Sequence, residues 1–383
     1  MGVKKILQSF NTKVFIYFLI AATAVYTLAF TLVYNLKDDG YILADWLINY
    51  QDGGFKRRGL SGSFFFILQD LTGLRLNYIV YFFQFSIISL FFWYYSKLIR
   101  YKVTTLLYLS LLLSSIGFLG ILNNVTYVGK KEFIVFLIFT YFVYLLDNDK
   151  LSKWKEILIC IFLFVSTLLH EVTLFYVPYF AVALFIKTGK FEYKRYLKYF
   201  LAAGIPALLI IAFGKNVNEG MSLEILSKRG VHPVYGIFFW NIDERLYIKQ
   251  HISEYKLYFI SLGISVLHLG FYLKYLNNRK IISILLIGAF LFSFPLFYLA
   301  IDWGRWMYIH MMMLIVLFAL MLKKGSSMYA SEPVTIDKKF YITSLIIVFS
   351  FIYRVEMSGK GFSFQGMFYR IFIAPVELLN KMG

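Results

Sequence analysis

The chain has 383 residues, of which 60% are hydrophobic and only 16% charged. A water-soluble domain could not bury that much apolar surface, whereas repeated apolar runs of about 15 to 24 residues suit the ~20 needed to cross a bilayer. The 39 Lys and Arg outnumber the 21 Asp and Glu, for a formal charge of +18, yet no basic helix or nucleic-acid-reading motif accompanies them, and no nucleic-acid partner is expected.

In chain order, Lys4, Lys5 and Lys13 predict a cytoplasmic N-terminus. Span 1, Val14 to Tyr34, reads as a signal anchor: it is long, and no small-residue cleavage site with a polar mature domain follows it. Residues 35–75 form a first exterior loop holding five acids and five bases. Its last part, Leu60 to Leu71, is apolar but too short to cross, which predicts a re-entrant or interfacial helix. Span 2 (Leu76 to Lys97), the cytoplasmic turn Arg100-Tyr101-Lys102 and span 3 (Val103 to Leu122) come next.

A short exterior loop ends in Gly129-Lys130-Lys131-Glu132, before span 4 (Phe133 to Leu146) and the cytoplasmic segment Asp147 to Lys155. Span 5 runs to Leu169, the tight turn His170-Glu171 follows, and span 6 (Val172 to Ile186) carries Pro178 as an expected kink. Lys187 to Lys198 is basic and cytoplasmic, span 7 is Tyr199 to Phe213, and residues 214–256 form a large exterior loop. Span 8 (Leu257 to Lys274) and span 9 (Ile281 to Ile301) lead to the exterior turn Asp302-Trp303-Gly304-Arg305-Trp306. Span 10 ends near Leu322, residues 323–339 are cytoplasmic, and span 11 is Phe340 to Tyr353. Residues 354–383 make an exterior tail, with an interfacial helix expected from Gln365 onward.

The expected fold is an all-α polytopic membrane protein, a single transmembrane domain over residues 1–383 with about 11 transmembrane helices (roughly 10–12) and its N-terminus in the cytoplasm. This topology places 21 Lys and Arg against 6 Asp and Glu inside, and 18 against 15 outside. The asymmetry has the sign of the positive-inside rule. No internal repeat is visible, which argues against a transporter built from inverted halves. Cys160 is the only cysteine, so neither an intramolecular disulfide nor a thiolate cluster can form.

Unusual charges at span ends all fall on the exterior side of this topology. Asp38-Asp39 could orient or deprotonate an acceptor hydroxyl or hold a divalent metal, against the plainer reading of solvated loop acids. Gly53-Gly54-Phe55-Lys56-Arg57-Arg58-Gly59 offers guanidinium forks for phosphate oxygens, or merely headgroup contacts. Lys131 precedes span 4. Glu171, between two apolar spans, is costly unless it faces a cavity or partner; partial burial is expected to raise its pKa and suit it to proton transfer, and the rival reading is an ion pair with one of the arginines. His170-Glu171 lacks the second histidine of a zinc helix, so no metal is expected there. Asp302 and Arg305 stand at i, i+3 and can pair on a helix, with Trp303 and Trp306 as interface anchors or a sugar platform. Arg229 and His232, in the large exterior loop, are candidate acceptor contacts or simply polar loop residues.

With about eleven spans, a large late exterior loop and exterior arginines beside acids, the chain resembles bacterial O-antigen and capsule repeat-unit polymerases (Wzy-type). These are integral-membrane glycosyltransferases of GT-C-like architecture, and the Asp38-Asp39 loop is similar to the acidic first loop of GT-C enzymes. The chain departs from one pattern: an Arg-x10-Gly signature is absent from the late loop, where Arg229 is followed by Gly236. The resemblance implies transfer between two undecaprenyl-diphosphate-linked oligosaccharides at the outer face of the inner (cytoplasmic) membrane, in lipopolysaccharide or capsule biosynthesis. Arg57, Arg58 and Arg305, with His170, Lys131 and Asp38, would bind diphosphate and glycan. Glu171 is the first choice of base, with Asp39 and Asp302 behind it. No cofactor is implied; membrane lipid and a chain-length regulator are the further partners. The alternatives are a GT-C transferase using a polyprenyl-monophosphate sugar and a polysaccharide flippase.

Overall fold

The computed structural model describes residues 10–37, 42–239, 242–267, 269–273, 278–358 and 361–377. The fold is mostly helical, and among the described residues five helices are long and apolar enough to cross a membrane: Thr12–Leu36, Leu76–Ile99, Tyr193–Phe213, Arg279–Leu299 and Trp303–Met321. An all-α membrane protein fits this architecture. The other apolar runs form shorter or interrupted helices. The chain divides into two compact units, one of residues 1–23, 96–127 and 243–383, the other of residues 24–95 and 128–242.

In the first unit the helix Trp303–Met321 is the core element, buried on nearly all sides. The helices Leu106–Leu112 and Ile252–Leu267 pack on it, and Lys338–Ile352 packs on Leu106–Leu112. The apolar run read as span 3 is not one helix: Leu106–Leu112 and Phe118–Asn123 are separated by a turn. Its Ser114 hydroxyl donates to Ser265 Oγ at 2.9 Å, and Gly117 sits so close to the carbonyls of Leu111 and Leu112 that a Cβ would be 2.9–3.0 Å from their oxygens. Hydrophobicity alone could not show this break, because the short turn Leu113-Ser114-Ser115-Ile116-Gly117 is buried like the apolar helices on either side of it.

The exterior turn read around Asp302 starts this core helix. Gly304 has no room for a side chain: a Cβ would lie 1.8 Å from the Glu356 carbonyl oxygen. The segment that crowds it belongs to a small antiparallel hairpin, Arg354–Val355 with Phe362–Ser363. In the expected interfacial stretch after Gln365, residues 369–373 (Tyr369–Ile373) are wound as a π-helical turn.

In the second unit the helices Lys153–Leu169 and Tyr193–Phe213 run against each other, and Glu132–Asp147 and Gly59–Thr72 pack on Lys153–Leu169. Phe180 meets Phe139 edge-on and Phe142 at a tilt, each with ring centroids 5.0 Å apart, and Tyr199 closes the cluster 5.4 Å from Phe142. Such aromatic pairs add directional packing to simple burial. The helix Gly59–Thr72 covers the run expected to be re-entrant or interfacial, and the helical run Thr173–Thr188 is divided at Val177, just before Pro178, where the backbone angles stay helical. Residues 214–256 carry two helices, Glu219–Lys228 in the second unit and Glu244–Gln250 in the first, each started by an Asn or Asp side chain accepting a backbone N–H.

Candidate functional site

The second unit gathers a chain of charges from four separate segments. The short helix Leu43–Trp46 supplies Asp45; the turn before Gly59–Thr72 supplies Arg57 and Arg58; the start of Glu132–Asp147 supplies Lys131 and Glu132; the turn after Lys153–Leu169 supplies His170 and Glu171. Arg58 is the hub. Its Nη2 and Nε donate to the two oxygens of Glu171 at 2.8 and 3.1 Å, and its Nη1 donates to Asp45 Oδ1 at 3.1 Å. Lys131 Nζ lies 3.9 Å from the other Asp45 oxygen and 5.5 Å from the centre of the Trp46 ring. Arg57, exposed, reaches Glu171 Oε1 at 3.6 Å. On the far side His170 stands between two carboxylates, Nδ1 3.6 Å from Glu171 and Nε2 3.4 Å from Glu132.

Local sequence explains how these groups are held. Arg58 has φ +65°, a left-handed conformation that costs a non-glycine residue about 1–2 kcal/mol. The surroundings enforce it. Gly59 lets the Tyr50 ring approach to where a Cβ would be only 2.4 Å away, and Gly62 lets the Ile48 and Leu47 carbonyls come within 2.3 and 2.6 Å of one. The Gly62 N–H donates to Ile48 O at 3.0 Å, locking loop to helix. Lys56 pairs with Asp52, and Asp52 also accepts from the Ser222 hydroxyl and, at 3.3 Å, from the Asn218 N–H. The His170-Glu171 turn is stapled by a 2.8 Å bond between the Ser166 and Thr173 hydroxyls and by His170 N–H donating to Ser166 O. Further along, Gly129 O accepts from both Trp46 Nε1 and Gln84 Nε2 at 2.8 Å, and Asn35 donates to Gln84 Oε1 at 2.7 Å.

Five of the residues picked from sequence therefore meet: Arg57, Arg58, Lys131, His170 and Glu171. One expectation about them is corrected. Burial does push the Glu171 carboxyl up, but the Arg58 charge, His170 and Arg57 outweigh it and hold it well below the usual carboxylate range. Burial alone would raise it, and the bidentate arginine reverses the sign. At rest Glu171 is an ionised partner of Arg58, the ion pair that was its rival reading.

The remaining candidates lie elsewhere. Asp302 and Arg305 belong to the first unit and pair with each other at 3.3 Å, as their spacing predicted. Arg229 engages a different carboxylate, Asp70, with bonds of 2.8 and 3.1 Å, and covers the Phe66 ring 4.3 Å from its centre. His232 is exposed. Asp38 and Asp39 lie outside the described residues. Sequence reasoning missed Asp45 and passed over Glu132, although Asp45 sits in the apolar run Ile42-Leu43-Ala44-Asp45-Trp46-Leu47. The burial argument that singled out Glu171 applied equally there.

Comparison with family models, curated proteins and solved structures gives no match to this chain. The geometry therefore stands on its own chemistry: guanidinium and ammonium groups held by carboxylates.

Proposed function

We propose that the protein is a polytopic membrane glycosyltransferase that polymerises undecaprenyl-diphosphate-linked repeat units of O-antigen or capsule, with the Arg58 cluster as its reaction site. In this reading it lies in the bacterial inner membrane with a cytoplasmic N-terminus, about eleven crossings and the Glu171 turn on the outer face, where the positive-inside rule puts it. A chain-length regulator is a further partner. The observation that carries the proposal is Arg58, buried, backbone-strained and shared between Asp45 and Glu171. Strain of this kind persists where the surroundings impose it, and functional sites are where it concentrates.

The chemistry follows from exchanging partners. The leaving diphosphate draws Arg58 and Arg57 to its oxygens, where the planar fork binds bidentately. Glu171 thereby loses its strongest counter-charge, and its basicity rises when an acceptor hydroxyl needs to lose a proton. The hydroxyl oxygen forms a bond to the anomeric carbon, the bond from that carbon to phosphate breaks, and the proton passes to the Glu171 carboxylate. His170 and Glu132 keep Glu171 in place during the exchange. Asp39 and Asp302 are the reserve candidates for the base, Asp38, Lys131 and Arg305 for anion and glycan contacts, and Arg229 and His232 for the acceptor.

Deleting the gene tests this reading. The expected result is lipid A-core carrying a single repeat unit, or capsule without long chains. Glycan of normal length lacking one side-branch sugar would instead indicate transfer from a polyprenyl-monophosphate donor, and an unchanged glycan would refute both.

A further inference from the structure

The helices Lys153–Leu169 and Tyr193–Phe213 enclose between them a groove of about 880 Å³, lined by Lys153, Glu156, Arg195 and Lys198 at one end and by Ile157, Cys160, Ile161, Phe164 and Ala202 along its walls. None of the Arg58 cluster lines it. The polar end is not neutral. Arg195 is committed to two acids, donating to Glu156 at 2.9 Å and to Glu192 at 2.7 Å, and Tyr199 also donates to Glu156 at 2.9 Å. Lys198 stands 4.0 Å from the already shared Glu156 with its side chain 58% exposed, and among the described residues Lys153 is in no ion pair. Three cations thus face two carboxylates, which leaves one positive charge in excess at the mouth of an apolar groove.

The depth of that mouth is marked by aromatic residues. Trp154 follows Lys153, and Tyr193 opens the helix that carries Lys198; they are 70% and 69% exposed, as anchors at a membrane–water interface are. Beyond them the outward side chains are apolar: Ile161, Leu201 and Leu208 are exposed. A cationic rim at headgroup depth over an apolar slot matches one kind of molecule, a bilayer lipid with an anionic headgroup.

We propose that this groove binds one anionic phospholipid, its headgroup phosphate between Lys153 and Lys198 and an acyl chain along Ile157, Ile161, Phe164 and Ala202. The full-length protein in neutral detergent would be titrated with phosphatidylglycerol or phosphatidylcholine and bound lipid counted by native mass spectrometry. Wild type is expected to retain phosphatidylglycerol in preference to phosphatidylcholine, and excess glycerol phosphate is expected not to displace it. Lys153→Ala with Lys198→Ala should weaken retention about tenfold, each lysine near a membrane surface contributing modestly. Ala202→Phe, which fills the slot and leaves every charge, should abolish retention while the protein remains monodisperse. Equal retention of the two lipids, displacement by glycerol phosphate, or unchanged retention in either variant would overturn the proposal.

Discussion

Arg58 carries two burdens at one position, a left-handed backbone and a buried charge shared by two carboxylates. They separate by substitution. Arg58→Ala removes the guanidinium, leaves Asp45 and Glu171 without their shared partner and keeps the strained φ; breaking a buried pair in this way costs about 3–5 kcal/mol. Arg58→Gly loses the same contacts but accepts φ +65° freely, so it should be more stable than the alanine variant by about 1 kcal/mol. Thermal unfolding in detergent of both variants checks the order, and neither should extend glycan. Arg58→Lys should restore activity only in part, because a point charge cannot reproduce the two-pronged bond to a phosphate.

Glu171 gives a prediction in pH. Its folded pKa is depressed, so its pair stabilises the protein above the unfolded carboxylate pKa of about 4.3, and that stability is lost as pH falls through the lower folded value. Unfolding in detergent should therefore show an acid limb below about pH 4 that is flattened in Glu171→Gln. An identical acid limb in the variant would mean that other carboxylates carry it.

Among the elements, the helix Gly59–Thr72 is positioned by backbone approach more than by side chains. Gly62→Ala would drive a Cβ into the carbonyls of Leu47 and Ile48, displacing the Arg58 turn that the contact fixes. A loss of about 1–3 kcal/mol and reduced membrane accumulation are expected. Gly204→Ala, in the helix Tyr193–Phe213, meets nothing within 4 Å and should be neutral or stabilising by about 0.5–1 kcal/mol. The contrast between two helical glycines is the check, since a generic effect of adding a methyl group would treat them alike. Helices such as Thr12–Leu36 and Leu76–Ile99 were legible in the sequence because about 20 apolar residues in a row leave few other structures. The interruption at Leu113–Gly117 was not, because it depends on Ser114 meeting Ser265, far away in the chain. The site was legible in the same uneven way. Charges stranded among apolar residues pointed to Arg58 and Glu171, but which acid meets which base is decided by the fold, and so Asp45 escaped notice and the Glu171 pKa was expected in the wrong direction.

For the molecule as a whole, the charge asymmetry predicts that labels at the N-terminus stay cytoplasmic while those at Arg57 and Glu171 react from outside. Cysteine labelling in a Cys160→Ala background tests this, and a cytoplasmic Glu171 turn would remove the proposed substrate from reach of the site. On the proposed mechanism Glu171 takes the acceptor's proton once Arg58 has turned to the diphosphate. The most direct test of this step is purified Glu171→Gln supplied with undecaprenyl-diphosphate-linked repeat units, with lipid binding and chain extension measured in the same samples. Binding close to wild type and extension reduced by about 100-fold or more are expected, the range lost when a general base is removed. A variant that binds and extends at the wild-type rate would contradict the mechanism.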